Sequence, residues 1–150
     1  MTFQKILCAV DFSDPSREAL RTAAGLARSS HATLVLVHVW QPPLWTTEYG
    51  IQLPNDALLE ARSSEEAQLA AWQAEAHQLG APDVVTRLAR GVPWDQIVAT
   101  ARDDKAIDLI VIGTHGRTGL RRALIGSVAE RVVRHAPCTV MVAGSREREP

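Results

Sequence analysis

The chain has 150 residues, 46% hydrophobic and 22% charged, and its 16 basic and 17 acidic side chains leave a formal net charge of −1. That is enough apolar material for one ordinary core, and the near-neutral balance excludes nucleic-acid binding through bulk positive charge. Nine glycines and eight prolines are ordinary usage and exclude a collagenous or disordered chain.

Residues 5–10 run Lys-Ile-Leu-Cys-Ala-Val and stop at Asp11, the pattern of a strand buried on both faces. Ser13 then offers a cap and Pro15 a helix start, with Ala19, Leu20, Ala23, Ala24, Leu26 and Ala27 as an apolar stripe that fades near Ser29 and Ser30. Residues 32–40 are a second buried strand, rich in β-branched side chains and closed by Pro42 and Pro43. Residues 44–54, with Trp45 and Tyr49, show no period and read as an irregular loop. Asn55 or Asp56 caps a long helix to about Leu79, where Gly80 stops it.

A more polar strand over 83–89 belongs at a sheet edge, and Gly91 ends it. Pro93 opens a helix carrying Ile97, Val98 and Ala101, and residues 107–112 form a strongly apolar strand that Gly113 terminates. The pattern closes with a helix over 127–135, a strand from Cys138 to Ala143, and a solvated tail over 144–150. Five strands joined by four helical crossovers predict an α/β fold, a doubly wound parallel sheet with helices on both faces, in a single domain spanning 1–150. Ligands of such sheets bind beyond the carboxyl ends of the strands, here near Asp11, Trp40, Gly91 and Gly113.

Cys8 and Cys138 lie far apart, and neither belongs to a Cys-x-x-Cys pair, so neither a zinc cluster nor a disulfide framework is implied. The apolar runs fall far short of the roughly 18 residues a bilayer requires. The first residues lack a signal pattern, so cytoplasmic residence without membrane contact is expected.

Gly113-Thr114-His115-Gly116-Arg117-Thr118-Gly119 follows the fourth strand and leads to Gly126-Ser127, giving the spacing G-x2-G-x9-G-S. Glycines let main-chain N–H groups converge, and a helix start adds partial positive charge, so the segment suits phosphate oxygens. Between Arg117 and Arg134 five arginines face one acid, Glu130. A structural alternative stands beside this: Ser127 and Glu130 also match a capping box, with Ser127 accepting from the Glu130 amide. A Walker loop is excluded, because neither Lys5 nor Lys105 sits in G-x4-G-K-[ST], and G-x-G-x-x-G is absent.

Asp11-Phe12-Ser13, His38-Val39, Gly91-Val92-Pro93 and the G-x2-G-x9-G-S segment together resemble the universal stress protein A superfamily over nearly the whole chain, in its ATP-binding form. The resemblance implies a Rossmann-like five-stranded parallel sheet of order 3-2-1-4-5, assembled as a homodimer. It also implies a set of nucleotide contacts. The Val39 main chain would read adenine, Ala9 and Val10 would pack on the base, and Asp11 would accept from the ribose hydroxyls beside Ile112. The amides of Gly113, Gly116, Gly126, Ser127 and Val128, with the Ser127 hydroxyl, would hold the phosphates, and Arg117 or Arg121 would reach them. Taken alone, Asp11 also reads as an exposed strand-end carboxylate or a helix cap, Val39 as core, His38 as a hydrogen-bonded structural histidine and His115 as an exposed loop residue.

The expected function is that of an ATP-dependent regulatory or stress-response switch, in which the nucleotide orders the loop over 114–125 and alters a surface facing a protein partner. Mg²⁺ would accompany ATP through its phosphates. A nucleotide-free interaction scaffold and a slow ATPase are the alternatives, and no base for vigorous hydrolysis is evident. The last strand would leave an apolar edge that pairing with a second copy of the chain covers.

Overall fold

Alternation along the strands sets the architecture. In the computed structural model, which describes residues 1–42, 48–115 and 125–144, β1 (Lys5–Ala9), β2 (Thr33–Trp40), β3 (Asp83–Arg90), β4 (Ile107–Gly113) and β5 (Thr139–Ala143) form one parallel sheet in the order β3-β2-β1-β4-β5. Ile6, Cys8, Leu34, Leu36, Leu109 and Val111 face one side of the sheet, where they pack with α1 (Asp14–Ser30) and α2 (Asn55–Gln78). Their neighbours Leu7, Ala9, Val35, Val37, Ile110 and Ile112 face the other, under α3 (Pro93–Asp103) and α4 (Ser127–His135). Both faces of the central strands are therefore dry, which explains their continuous apolar runs.

The helix ends follow from local chemistry. Ser13 caps α1 and accepts from the Ser16 amide, although Asp14 precedes Pro15 as the first helical residue. Ala19, Leu20, Ala23, Ala24 and Ala27 are buried as the stripe requires, and small side chains there let α1 approach the sheet closely. Gly80 follows α2 at φ 98°, a left-handed backbone that glycine adopts without strain. Two expected caps are corrected. Asn55 is already helical and Pro54 precedes it without a side-chain cap bond. The capping box on α4 is absent too: Gly126 occupies the cap, Ser127 is the first helical residue, and the Glu130 amide donates to the Gly126 carbonyl at 3.0 Å.

β3 lies at the sheet edge, and its exposed Val85 and Arg87 alternate with the buried Val84, as the sequence predicted. β5 lies at the other edge. The order reverses at β1, whose neighbours β2 and β4 are connected in opposite directions across the sheet, so a crevice opens where β1 and β4 end. Among the described residues no helix is long and apolar enough to cross a membrane.

Candidate functional site

That crevice holds a cavity of about 440 Å³. Its walls come from the ends of β1 (Ala9, with Val10 and Asp11 beyond it), β2 (Val37, Val39) and β4 (Ile112, Gly113), from the first two turns of α3 (Pro93, Ile97) and the first turn of α4 (Ser127, Val128, Ala129), and from Ser16, Thr114, His115, Ile125 and Gly126. Of the sequence-predicted site residues, Ala9, Val10, Asp11, Val39, Ile112, Gly113, Gly126, Ser127 and Val128 come together here. Gly116 and Arg117, with Arg121, lie outside the described residues. The volume falls within the roughly 300–1,000 Å³ of small-molecule sites.

Chemistry differs around the cavity. Ala9, Val37, Val39, Ile97 and Ile112 supply an apolar slot for a flat ring. At its rim, Asp11 ends the turn out of β1. Its Oδ1 accepts from the Ser13 amide at 3.1 Å and from the Ser13 hydroxyl, and its own amide donates to Ser16 Oγ at 3.3 Å. Asp11 is half-buried and the cap of α1 is Ser13, so the exposed carboxylate or helix cap expected of an isolated Asp11 is corrected to a turn-forming acceptor at the end of β1. Phe12, next in the turn, holds φ 64°, an uncommon conformation for a residue with a side chain, and its ring packs on His38 and Trp72.

Opposite the slot, α4 begins. Gly126 has no side chain to satisfy the first-turn amides and α4 has no side-chain cap bond, so Ser127, Val128 and Ala129 present main-chain donors and the positive end of the helix dipole to an anion. Gly126 itself is held by its amide donating to the Thr114 carbonyl at 2.6 Å, and a Cβ on Gly126 would come within 3.0 Å of that oxygen. Gly113 is more crowded: a Cβ would lie 2.8 Å from the Pro15 carbonyl oxygen. His115, expected as an exposed loop residue, is instead half-buried and lines the cavity, and its Nδ1 lies 3.2 Å from the Thr114 hydroxyl. Arg134 pairs with Glu130 at 2.6 Å and Arg131 lies over the Trp94 ring, so these two arginines are engaged along the helix.

Main-chain direction along β2 matters to the slot. The Val37 carbonyl accepts from the Val10 amide at 2.9 Å, whereas the Trp40 carbonyl accepts from Gly91 on the β3 side. Polar groups of alternate residues in a strand point to opposite neighbours, so Val39 turns its N–H and C=O, like Val37, toward the side of β1, which has already ended. Behind the sheet, His38 is buried. Its Nδ1 donates to the Val10 carbonyl at 2.8 Å and its Nε2 meets Glu65 of α2, which confirms the hydrogen-bonded role expected of it.

Sequence reasoning missed Ser16, Val37, Pro93, Ile97, Thr114, His115, Ile125 and Ala129 as wall residues. Val37 was accessible through its two-residue spacing from Val39, and Pro93 through the Gly91-Val92-Pro93 motif. The described residues contain no group of three or more His, Cys, Asp or Glu side chains able to hold a metal ion. Tyr49 is exposed and is not among the wall residues, and Trp45 lies outside the described residues.

Residues 2–144 match the family model described as the universal stress protein family. A relative from Staphylococcus haemolyticus, named as a universal stress protein, is 33% identical over 149 residues, covering 98% of this chain and 88% of the relative. Among solved structures, the universal stress protein UspA from Lactobacillus plantarum superposes with a TM-score of 0.80 at 28% identity, covering 95% of this chain and 99% of its own. A universal stress protein in complex with cAMP gives 0.71 at 25% identity, covering 96% and 98%. A universal stress protein from Archaeoglobus fulgidus in complex with dAMP gives 0.65 at 25%, covering 95% and 99%.

Proposed function

The chain belongs to the universal stress protein family, and on that premise we propose that it is a cytoplasmic ATP-binding regulator rather than a turnover enzyme. One observation carries the reading: Val39, Asp11 and the start of α4, which has no side-chain cap, border the same cavity. Its apolar slot suits a purine, Asp11 suits adjacent sugar hydroxyls, and the amides of Gly113, Gly126, Ser127 and Val128 suit phosphate oxygens. The two similar proteins solved in complex with cAMP and dAMP support an adenine nucleotide.

An N–H and a C=O from one residue match the acceptor and donor on the pairing edge of adenine, and oppose those of guanine. In this reading Val10 and Ala9 flank the base, Ile112 borders the sugar, and Gly116 and Arg117 extend the phosphate cradle. Mg²⁺ enters on the phosphate oxygens, because magnesium binds through one or two protein ligands or none when phosphates supply the rest. Nucleotide occupancy orders the loop over 114–125 and so alters a surface read by a protein partner. β5, an edge strand in this chain, pairs with its copy in a homodimer and so shields its ladder.

Protein purified without added nucleotide and then heat-denatured should release an adenine nucleotide, identified by chromatography, or, if isolated empty, should gain thermal stability with ATP. An empty preparation that ATP does not stabilise would instead identify an interaction scaffold. Light scattering on dilution tests the dimer.

A further inference from the structure

Resting on the adenine reading above, we infer that His38 is a positioning residue for base recognition: by taking the Val10 carbonyl it ends the β1–β2 ladder one bond early and leaves the Val39 main chain turned to the cavity. In a parallel ladder the acceptor next in register for the Val39 amide, after the Val10 amide has bonded the Val37 carbonyl, is the Val10 carbonyl. That carbonyl instead accepts from His38 Nδ1 at 2.8 Å, on the face opposite the slot.

The imidazole is held from two sides. Nδ1 faces an oxygen that only accepts, so it carries a proton, and Nε2 meets the Glu65 carboxyl, which fixes the ring in its plane. Phe12 packs on the ring with centroids 4.4 Å apart, and Trp72 packs on Phe12. The same Phe12 follows Asp11, so α2 braces from behind the turn that borders the slot. His38 itself is absent from the cavity wall and so touches no ligand there.

The test compares calorimetric affinities for ATP and ITP, which differ on the pairing edge alone. The wild type should prefer ATP by about tenfold or more, because ITP reverses both the acceptor and the donor that the Val39 main chain matches. In His38→Leu the Val10 carbonyl is released to the Val39 amide, and the preference should fall below about threefold, while affinity for inorganic triphosphate is kept. His38→Asn, whose amide donates from nearly the position of Nδ1, should retain the preference. Should His38→Leu fail to fold, Glu65→Leu and Glu65→Gln decide. The former should lose preference, and the latter should keep it, because its amide donates to Nε2 of a ring protonated at Nδ1. An unchanged ATP-to-ITP ratio in a folded His38→Leu, or in Glu65→Leu where that variant must decide, overturns the inference. A wild type that binds neither nucleotide overturns the adenine reading beneath it, a result distinguishable because it appears before any substitution.

Discussion

The Thr114 amide donates to the Ala143 carbonyl at 3.1 Å, which ties the backbone leaving β4 to the end of β5. One residue earlier, Gly113 lies against the carbonyl of Pro15 at the start of α1. The side of the cavity next to α4 is therefore clamped between a helix start and an edge strand, and the Gly126 amide joins it through its bond to the Thr114 carbonyl.

Gly113→Ala should reveal how tight that clamp is. Its Cβ would meet main-chain atoms of Pro15 at 2.8 and 2.9 Å, which cannot rotate away, so overpacking should cost about 1–3 kcal/mol. Urea unfolding checks this through a lower midpoint at unchanged slope. A midpoint equal to the wild type would show that α1 shifts freely.

Thiol chemistry should separate the two cysteines. Burial pushes the Cys8 thiol up to about 12, and partial burial, then the charge of Asp108, raise Cys138 above its ordinary value. In native protein at mildly alkaline pH, alkylation followed by mass spectrometry should modify Cys138 slowly and Cys8 only after denaturation. Equal labelling of both in the folded state would contradict the buried position of β1.

The ion pair between Lys5 and Asp104, 2.7 Å long, should give a small acid-sensitive contribution. The Lys5 side-chain hydrogen bond, with the Ala106 amide, lowers the Asp104 carboxyl below the usual range of an aspartate. The contribution is complete above the unfolded carboxylate range and is lost as pH falls through the lowered folded value. Asp104→Asn should therefore unfold more easily at neutral pH, by about 0.5 kcal/mol for so exposed a pair, and match the wild type in strong acid. A gap that widens on acidification would reverse the assignment.

Much of this was legible in the sequence because it depends on local pattern. Continuous apolar runs marked strands buried on both faces, Ser13 marked its helix start, and the polar alternation of residues 83–89 marked an edge. The cavity wall was less legible where it depends on crossovers. Ile97 reaches the slot only because the crossover between β3 and β4 carries α3 over that face, and Glu65 meets His38 across 27 residues through a helix register that no motif records. The α4 cap failed for a local reason: Gly126 satisfied the cap position with backbone alone, leaving Ser127 inside the helix.

The most direct measurement is a calorimetric titration of ATP into the wild type and into Gly126→Val. Cβ of the variant would press within 3.0 Å of the Thr114 carbonyl and within 3.4 Å of His115 Cα, at the mouth of the proposed phosphate cradle. One ATP per chain should bind the wild type, and affinity should fall by about tenfold or more in the variant, equivalent to the loss of one charged hydrogen bond. Equal ATP affinity in the two proteins, or no heat from either at millimolar nucleotide, would contradict main-chain capture of the phosphates at this site.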